Sequence, residues 1–253
     1  MIPFLLLLIL IVLIAILIVL IRCCCDPKPD PEDPKGLDHF RVFDVGEQDV
    51  SIDVKLTGQF DRGEPRGAKV FRLVHFANPV QKNDHKIIDK NAHLTWYRFD
   101  PIGSEPKREV TFENQFGEQR WVIESSEHLM VPTHKIEQGS AFPKNLDHFK
   151  CYRVVDIVGA PLEPILALRD QFGAQQDIPL GKPLYFCVPV AKVGGQHKSS
   201  ITNPDDHLAV YAIRNEPTPR EQRVENQFGQ TTLKVMHSSM LCVPSVKKDW
   251  QVL

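Results

Sequence analysis

The sequence lacks an excess of charge of either sign. Its 30 Lys and Arg residues and 32 Asp and Glu residues give a formal net charge of −2 over 253 residues. A protein that binds nucleic acid through its phosphates needs a basic surface, and this balance excludes a polycation of that class. It also excludes a strongly acidic tail. Nucleic acid is therefore not an expected partner.

The sequence also lacks the familiar short catalytic motifs. It contains no phosphate-binding G-x-x-x-x-G-K, no G-x-S-x-G nucleophile turn and no H-E-x-x-H zinc motif. It has neither a C-x-x-C pair nor a C-x-x-C-H haem attachment site. We therefore expect no enzyme, no catalytic residue, no cofactor and no metal site. Carboxylates that meet only in the fold leave a hydrolase as an alternative.

One long hydrophobic run stands out from this otherwise polar composition. Residues 2–21 read IPFLLLLILIVLIAILIVLI, with no charged residue. A helix of this length spans about 30 Å, the thickness of the hydrocarbon core of a bilayer. The run is longer than a signal-peptide core and no small-x-small cleavage site follows it. We predict a single-pass transmembrane anchor helix over residues 1–22.

A cysteine cluster and a proline-rich spacer follow, over residues 23–36. Cys23, Cys24 and Cys25 are candidates for lipidation, or are small apolar residues at the membrane interface. The four prolines of DPKPDPEDPK favour a semi-rigid polyproline II spacer. The few basic residues flanking the run favour a cytoplasmic location for the rest of the chain. Cysteine use and the family resemblance below favour an extracytoplasmic one.

The remainder consists of four copies of one unit. A Gln-Phe dipeptide recurs every 56 residues, at Gln59, Gln115, Gln171 and Gln227. Each copy begins with a head that starts at a histidine, namely His39, His93, His148 or His207. Each ends with a tail that contains a proline, namely Pro79, Pro132, Pro189 or Pro244. Such self-similarity at a fixed period is the signature of a repeat architecture.

The heads and tails alternate and are rich in aromatic and β-branched residues, which predicts β-strands. The segment Leu37-Asp38-His39-Phe40 returns 109 residues later, which groups the copies in two pairs. We therefore predict an all-β protein with two tandem β-sandwich-like domains, each made of two repeats. A sheet closed on itself is the alternative. The predicted boundaries are residues 37–137 and 146–248 for the domains, 138–145 for a linker and 249–253 for a C-terminal tail.

The third copy carries the closest family resemblance. Its residues His148, Cys151, Tyr152, Asp170, Gln171, Phe172, Cys187 and Pro189 resemble a pattern of repeats in bacterial and archaeal extracytoplasmic proteins. That pattern has a His-Tyr-x-Cys-Tyr head, an Asp-Gln-Phe middle and a Leu-Cys-x-Pro-Val tail. The family is uncharacterised, so the resemblance implies an extracytoplasmic β-domain, periplasmic or at the cell surface, and no active site.

Three cysteines lie in the repeats, so they can form at most one intrachain disulfide. Cys151 can pair with Cys187 inside the third copy, or with Cys242 across the third and fourth copies. A trio of buried thiols is the alternative. The repeated histidines could in principle gather around a metal, but Asp-His at the entry to a strand is more typical of a turn.

The C-terminal tail offers a candidate partner contact. Trp250, Val252 and Leu253 lie beyond the last repeat and could dock on another protein. With the anchor and the repeats, this favours a membrane-anchored, non-enzymatic structural or adaptor protein. Its expected partners are membrane lipid and other subunits of a membrane assembly. The alternative is a tethered ligand- or glycan-binding module, with the tryptophans as a stacking platform.

Overall fold

Each head segment folds as a β-strand, as its alternating pattern predicts. In the third head, His148, Lys150 and Tyr152 point to one face and Phe149 and Cys151 to the other, and all five are buried. A strand that is buried on both faces needs cover on both sides. The computed structural model, which describes residues 36–137, 139–159, 164–193 and 198–253, shows where that cover comes from.

The described residues are almost entirely β-structure. The strands are β1 (His39–Gly58), β2 (Arg66–Lys82), β3 (His93–Pro101), β4 (Arg108–Asn114), β5 (Gly117–Lys135), β6 (His148–Val158), β7 (Ile165–Asp170), β8 (Gly173–Pro179), β9 (Pro183–Lys192), β10 (His207–Asn226) and β11 (Gly229–Val252). A short 3₁₀ turn, Gln59–Asp61, joins β1 to β2. The predicted all-β class is confirmed.

Eight of these strands close into a ring. The order around it is β1, β2, β3, β5, β6, β9, β10 and β11, with every neighbour antiparallel. Pairing of β11 with β1 completes the circle, for example Cys242 opposite Phe40. Each repeat therefore contributes its head and its tail as two adjacent strands, and the first repeat meets the fourth.

The middle of each repeat forms a hairpin whose turn carries the Gln-Phe dipeptide. The first strand of that hairpin pairs with the tail of the repeat two positions away. Thus β1 pairs through its last residues with β9, β4 with β11, β7 with β2, and β10 with β5. The first and third repeats exchange hairpins in this way, and so do the second and fourth.

Two hydrophobic clusters follow from this arrangement. One contains only ring residues and the short segments that precede the heads, including Phe40, Leu94, Phe149 and Leu208. Since no hairpin residue contributes to it, we place it inside the ring, where the strands cover one another. The other cluster combines the opposite faces of the ring strands with the hairpins, which cover them from outside. Both faces of each head are thereby removed from water.

This architecture corrects the expectation of two tandem sandwiches. Strands of all four repeats belong to one hydrogen-bonded sheet. All described residues also form one compact unit. The physical reason is the exchange of hairpins, because a pair of repeats alone would lack the hairpins that cover its outer faces. The residues 138–145, expected as an interdomain linker, fall between β5 and β6, which are neighbours in the ring.

The ends of the chain have different outcomes. No helix among the described residues is long and apolar enough to cross a membrane. The predicted anchor over residues 1–22 and the candidate lipidation sites Cys23, Cys24 and Cys25 lie outside the described residues. At the other end, β11 continues to Val252, so most of the expected tail 249–253 belongs to the sheet.

Candidate functional site

The four head histidines are distributed around the ring. Each lies within hydrogen-bonding distance of the turn glutamine of the following repeat: the Nε2 atoms of His39 and Gln115 are 2.7 Å apart. The other pairs are His93 with Gln171, His148 with Gln227 and His207 with Gln59. The fourth pair returns to the first repeat, so the contacts also form a closed cycle. These histidines therefore join neighbouring repeats.

Burial keeps these histidines neutral. It lowers the pKa of His93 and His148 to about 3 and that of His207 to about 4, with nearby lysines adding to the effect. The pKa of His39 is also well below its usual value, from burial and then from Lys82 and His85. Among the described residues, no three His, Cys, Asp or Glu side chains are grouped as a metal site.

The cysteines of the repeats lie inside the ring. Cys151 and Cys187 occupy directly opposite positions on β6 and β9 and form a disulfide. Cys242 is a buried free thiol, and burial raises its pKa well above the usual value. Val210 of the fourth head faces Cys242, at the position that corresponds to Cys151 in the third. Of the two pairings left open by the sequence, the structure has the one within the third repeat.

The tryptophans do not form an exposed platform. Trp96 and Trp121 are buried, and Trp250 is half-buried with its ring centroid 5.0 Å from that of Phe60. Glycan recognition by stacking therefore loses the feature on which it depended. Val252 and Leu253 are exposed. Of the three expected partner-contact residues, Trp250 thus packs on its own chain while the last two remain accessible.

A buried cluster of charges is formed by Asp61, which directly follows Phe60, with Lys150 and Glu105. The Nζ atom of Lys150 donates to both carboxylate oxygens of Asp61, at 2.9 and 3.0 Å, and lies 3.4 Å from Glu105. Burial alone would raise the pKa of Glu105, but Lys150 and hydrogen bonds from Ser126 outweigh it and hold that pKa below its usual value. The Tyr152 hydroxyl is buried, and burial together with the two acids raises its pKa well above the usual value.

A solvent-open cleft of about 410 Å³ lies beside this cluster. We call it the Arg108 cleft. It is lined by the 3₁₀ turn and the loop after it, by the start of β4 and by the end of β11, namely Phe60, Asp61, Arg62, Glu64, Arg66, Pro106, Arg108, Trp250 and Val252. Its size is that of a small ligand pocket or of a seat for one or two peptide residues.

Arg108 is the most deeply buried cation of the cleft. Its side chain is only 2% exposed, and its guanidinium lies 5.1 Å from the ring centroid of Phe60 and 5.5 Å from that of Tyr152. It donates to the main-chain oxygens of Pro106 at 3.0 Å and Phe60 at 3.5 Å. No carboxylate of the described residues lies within ion-pairing distance of it, and its Nε atom has no hydrogen-bond partner.

The last part of β11 adds a free strand edge to the cleft. From Val246 to Val252 this strand pairs with β4 on one side. Its pairing with β10 ends at Ser245, and that with β1 at Cys242. Within the described ranges no strand pairs with its other edge, so the backbone groups there are available to an incoming strand.

Part of this site was predicted from the sequence. Trp250 and Val252 were expected as partner contacts, whereas Phe60 and Arg108 were not. The one available signal was Asp61, which stands where the other three repeats have a glycine after Gln-Phe. The carboxylate of Asp61 belongs to the buried charge cluster.

The fold and the site define a class. The described residues form a closed ring of four interlocked β-repeats, with a basic and aromatic cleft where the first turn meets the last strand. The chain belongs to a family described as a repeat of unknown function, DUF7450, whose model matches residues 93–244. That range runs from the head of the second repeat to the tail of the fourth. No curated protein and no solved structure matches the chain.

Proposed function

We propose that the chain is a membrane-anchored, non-enzymatic adaptor, an accessory subunit that holds another protein of a membrane assembly through the Arg108 cleft. The observation that carries the proposal is the free edge of β11 beside a solvent-open cleft. Exposed edges of this kind invite pairing with another chain unless they are covered. The interlocked ring supplies a rigid frame for such a contact.

Other observations support the placement of this adaptor. The apolar run at residues 2–21 has the length and composition of a membrane anchor. The Cys151–Cys187 disulfide favours an oxidising compartment, so the ring is assigned to the extracytoplasmic side, in a periplasm or at the cell surface.

Co-purification in mild detergent tests the adaptor role. The full chain should bring down a stoichiometric partner that is identified by mass spectrometry. Replacing Trp250 by Leu, which removes the indole from the cleft, should reduce the recovered partner. Replacing Ile165 by Ser is the matched control, because Ile165 is an exposed apolar residue of the third repeat outside the cleft. Recovery of a monodisperse monomer alone would contradict the proposal.

A serine hydrolase is the second candidate function, because one serine lies next to a histidine. The Ser140 Oγ atom is 2.9 Å from Nε2 of His134, and Nδ1 of His134 is 3.8 Å from a carboxylate oxygen of Glu225. A pocket of about 250 Å³ adjoins Ser140. This order of nucleophile, base and acid is that of a catalytic triad.

We favour the adaptor because Ser140 already has a structural role. Its hydroxyl contacts the main-chain oxygens of Lys135 and Glu137, which hold the turn after β5. A hydroxyl that donates its proton to a carbonyl cannot donate it to a base at the same time. The hydrolase predicts covalent labelling of Ser140 by a fluorophosphonate probe that is lost on replacing His134 by Gln. Absence of labelling in the folded chain would remove this candidate.

A further inference from the structure

Arg108 lines an open cleft, unlike two other cations buried between the ring and its hairpins, Lys150 and Arg41. Lys150 is paired with Asp61 and Glu105. The Arg41 guanidinium donates to Gln175 at 2.9 Å and to Ser238 at 3.0 Å. Burial lowers the pKa of Arg41, and the charges of Asp170 and Glu216 oppose that shift from beyond ion-pairing distance. Arg108 has two main-chain oxygens and two aromatic rings around it, but no acidic partner among the described residues.

A guanidinium without a counter-ion is costly to bury. Removing such a charge from water is unfavourable unless an opposite charge and hydrogen bonds compensate it. Main-chain oxygens accept two of its N–H groups and the rings attract its charge, but neither neutralises it. Since Arg108 lines a solvent-open cleft, an anion that enters the cleft can supply the missing charge.

The other groups of the cleft define which anion fits. Asp61 is held by Lys150, so it does not neutralise Arg108. Arg62 and Arg66 in the same lining offset Asp61 and Glu64, so Arg108 leaves the cleft with a formal charge of +1. One carboxylate balances that charge, whereas a phosphate dianion exceeds it. A carboxylate has one charge and matches the planar guanidinium. Phe60 and Trp250 offer apolar rings to the carbons that carry it.

We propose that the Arg108 cleft binds an aspartate or glutamate side chain of an extended segment of the partner protein, with the carboxylate paired to Arg108. The segment runs along the free edge of β11 and hydrogen-bonds to its backbone, while Trp250 and Phe60 pack against the apolar part of the acidic side chain. This inference rests on the proposed adaptor function and names the chemistry of its partner. Charge complementarity and the unpaired strand edge select a protein segment as the occupant.

Peptide binding to the full chain in detergent micelles tests the proposal. The probes are the synthetic peptide Ac-Val-Val-Glu-Phe-Val-amide and its Gln counterpart, each titrated by isothermal calorimetry at low ionic strength. We expect the Glu peptide to bind at least tenfold more tightly than the Gln peptide. Equal affinities would overturn the proposal, and this comparison requires no variant of the protein.

Variants locate the interaction. Arg108→Gln should reduce the affinity for the Glu peptide to that for the Gln peptide. Arg153→Gln is the matched control, because Arg153 is an exposed arginine that pairs with Glu124 and Glu127 outside the cleft, and it should bind both peptides as the wild type does. A Glu preference that survives in Arg108→Gln would overturn the assignment to Arg108.

Two further measurements distinguish a protein carboxylate from a free one, and the carboxylate proposal from the adaptor function. Sodium acetate, a free carboxylate, should not compete with the Glu peptide at millimolar concentration, and competition there would overturn the assignment to a protein segment. Co-purification should be repeated with Arg108→Gln. Full recovery of the partner with this variant would overturn the carboxylate proposal and leave the adaptor function standing, whereas failure of the wild type to recover a partner would overturn the adaptor itself.

Discussion

The two pairs of opposite repeats hold each other by different chemistry at the same place in the fold. The turn of the first repeat meets the head of the third through Asp61 and Lys150, a buried ion pair at 2.9 Å. The turn of the fourth repeat meets the head of the second through Asn226, which donates to the hydroxyls of Thr95 and Tyr97 at 2.8 Å each. One pair therefore uses charges and the other neutral amides and hydroxyls.

The reciprocal contacts follow the same division. In the turn of the third repeat, Asp170 acts on Arg41 of the first head, and the attraction of Arg41 opposes the rise in the pKa of Asp170 that burial causes. In the turn of the second repeat, Asn114 donates to Tyr211 at 3.4 Å and to Ser245 at 3.3 Å in the fourth. A ring closed in the wrong order would bury an Asp against neutral groups, so the difference favours one order of repeats.

Acid should have the largest effect and should act on both pairs alike. Burial holds the pKa of His93 and His148 at about 3, below the value of about 6.5 in the unfolded chain. Between these values the unfolded chain binds more protons, so stability is full above pH 6.5 and falls as pH decreases. The loss at pH 5 is about 2 kcal/mol for each of His93, His148 and His207. The lowered pKa of His39 acts in the same direction. The raised pKa of Asp206, about 6, opposes it by about 1 kcal/mol.

Urea unfolding of the full chain in detergent at pH 7, 6 and 5 measures this loss. Replacing His148 by Gln and, separately, His93 by Gln should each flatten the dependence on pH by the share of one histidine. Equal flattening would show that proton binding does not distinguish the charged pair of repeats from the neutral pair. A larger change for His148 would tie acid sensitivity to the charged exchange and would contradict the expectation.

Removing a charge from the first and third repeats should have the next largest effect. Replacing Lys150 by Met leaves Glu105 buried without a cation and leaves Asp61 with only Arg66, at 3.6 Å. Breaking a buried ion pair in this way costs about 3–5 kcal/mol. The measurement is the free energy of unfolding in urea at pH 7. Arg153→Met on the same strand is the control, since Arg153 is half-exposed and its loss should cost less than about 1 kcal/mol. Equal losses would mean that the buried pair is not structural.

Much of this organisation was readable from the sequence, because repeats and alternation are local properties. The 56-residue period of the Gln-Phe dipeptide defines the four units, and the alternation in the heads predicts their strands. The exchange of hairpins was not readable. It joins residues such as Gly58 and Val190, which are far apart in the chain, and a pattern within one repeat is the same whether its hairpin covers itself or another repeat. Two tandem sandwiches therefore fitted the same pattern.

The candidate site was harder to predict from the sequence than the strands, for a related reason. Arg108 and Phe60 lie in different repeats. Arg108 belongs to no motif, and the Gln-Phe dipeptide that contains Phe60 is shared by all four repeats, so it does not single out the first one. Arg108 has no acidic partner in part because Asp61 is paired with Lys150, a residue of the third repeat. Composition and spacing do not show whether a given arginine has an acidic partner in the folded chain. Trp250 could be predicted as a contact residue only because it lies beyond the last repeat.

The disulfide adds a covalent difference between the third and fourth repeats. Replacing Cys151 and Cys187 together by Ala removes a crosslink between residues 36 apart, and we expect a loss of about 2–4 kcal/mol in the free energy of unfolding without reductant. Cys242→Ala is the control for lost volume, because Cys242 is buried in the same cluster without a bond. A double variant no less stable than Cys242→Ala would show that the crosslink does not stabilise the ring.

The smallest effect is expected where the neutral pair of repeats meets. Replacing Thr95 by Val removes the hydroxyl that Asn226 donates to and that also contacts the hydroxyl of Thr133. Asn226 keeps Tyr97, so the loss should be about 1–2 kcal/mol in urea unfolding. Thr232→Val, at an exposed threonine of β11, should change stability by less than about 0.5 kcal/mol. The decisive quantity is the difference from Lys150→Met. If Thr95→Val costs as much, charge adds nothing to the hold between opposite repeats. A clearly smaller cost would mean that the charged contacts stabilise the pairing of opposite repeats more than the neutral hydrogen bonds do.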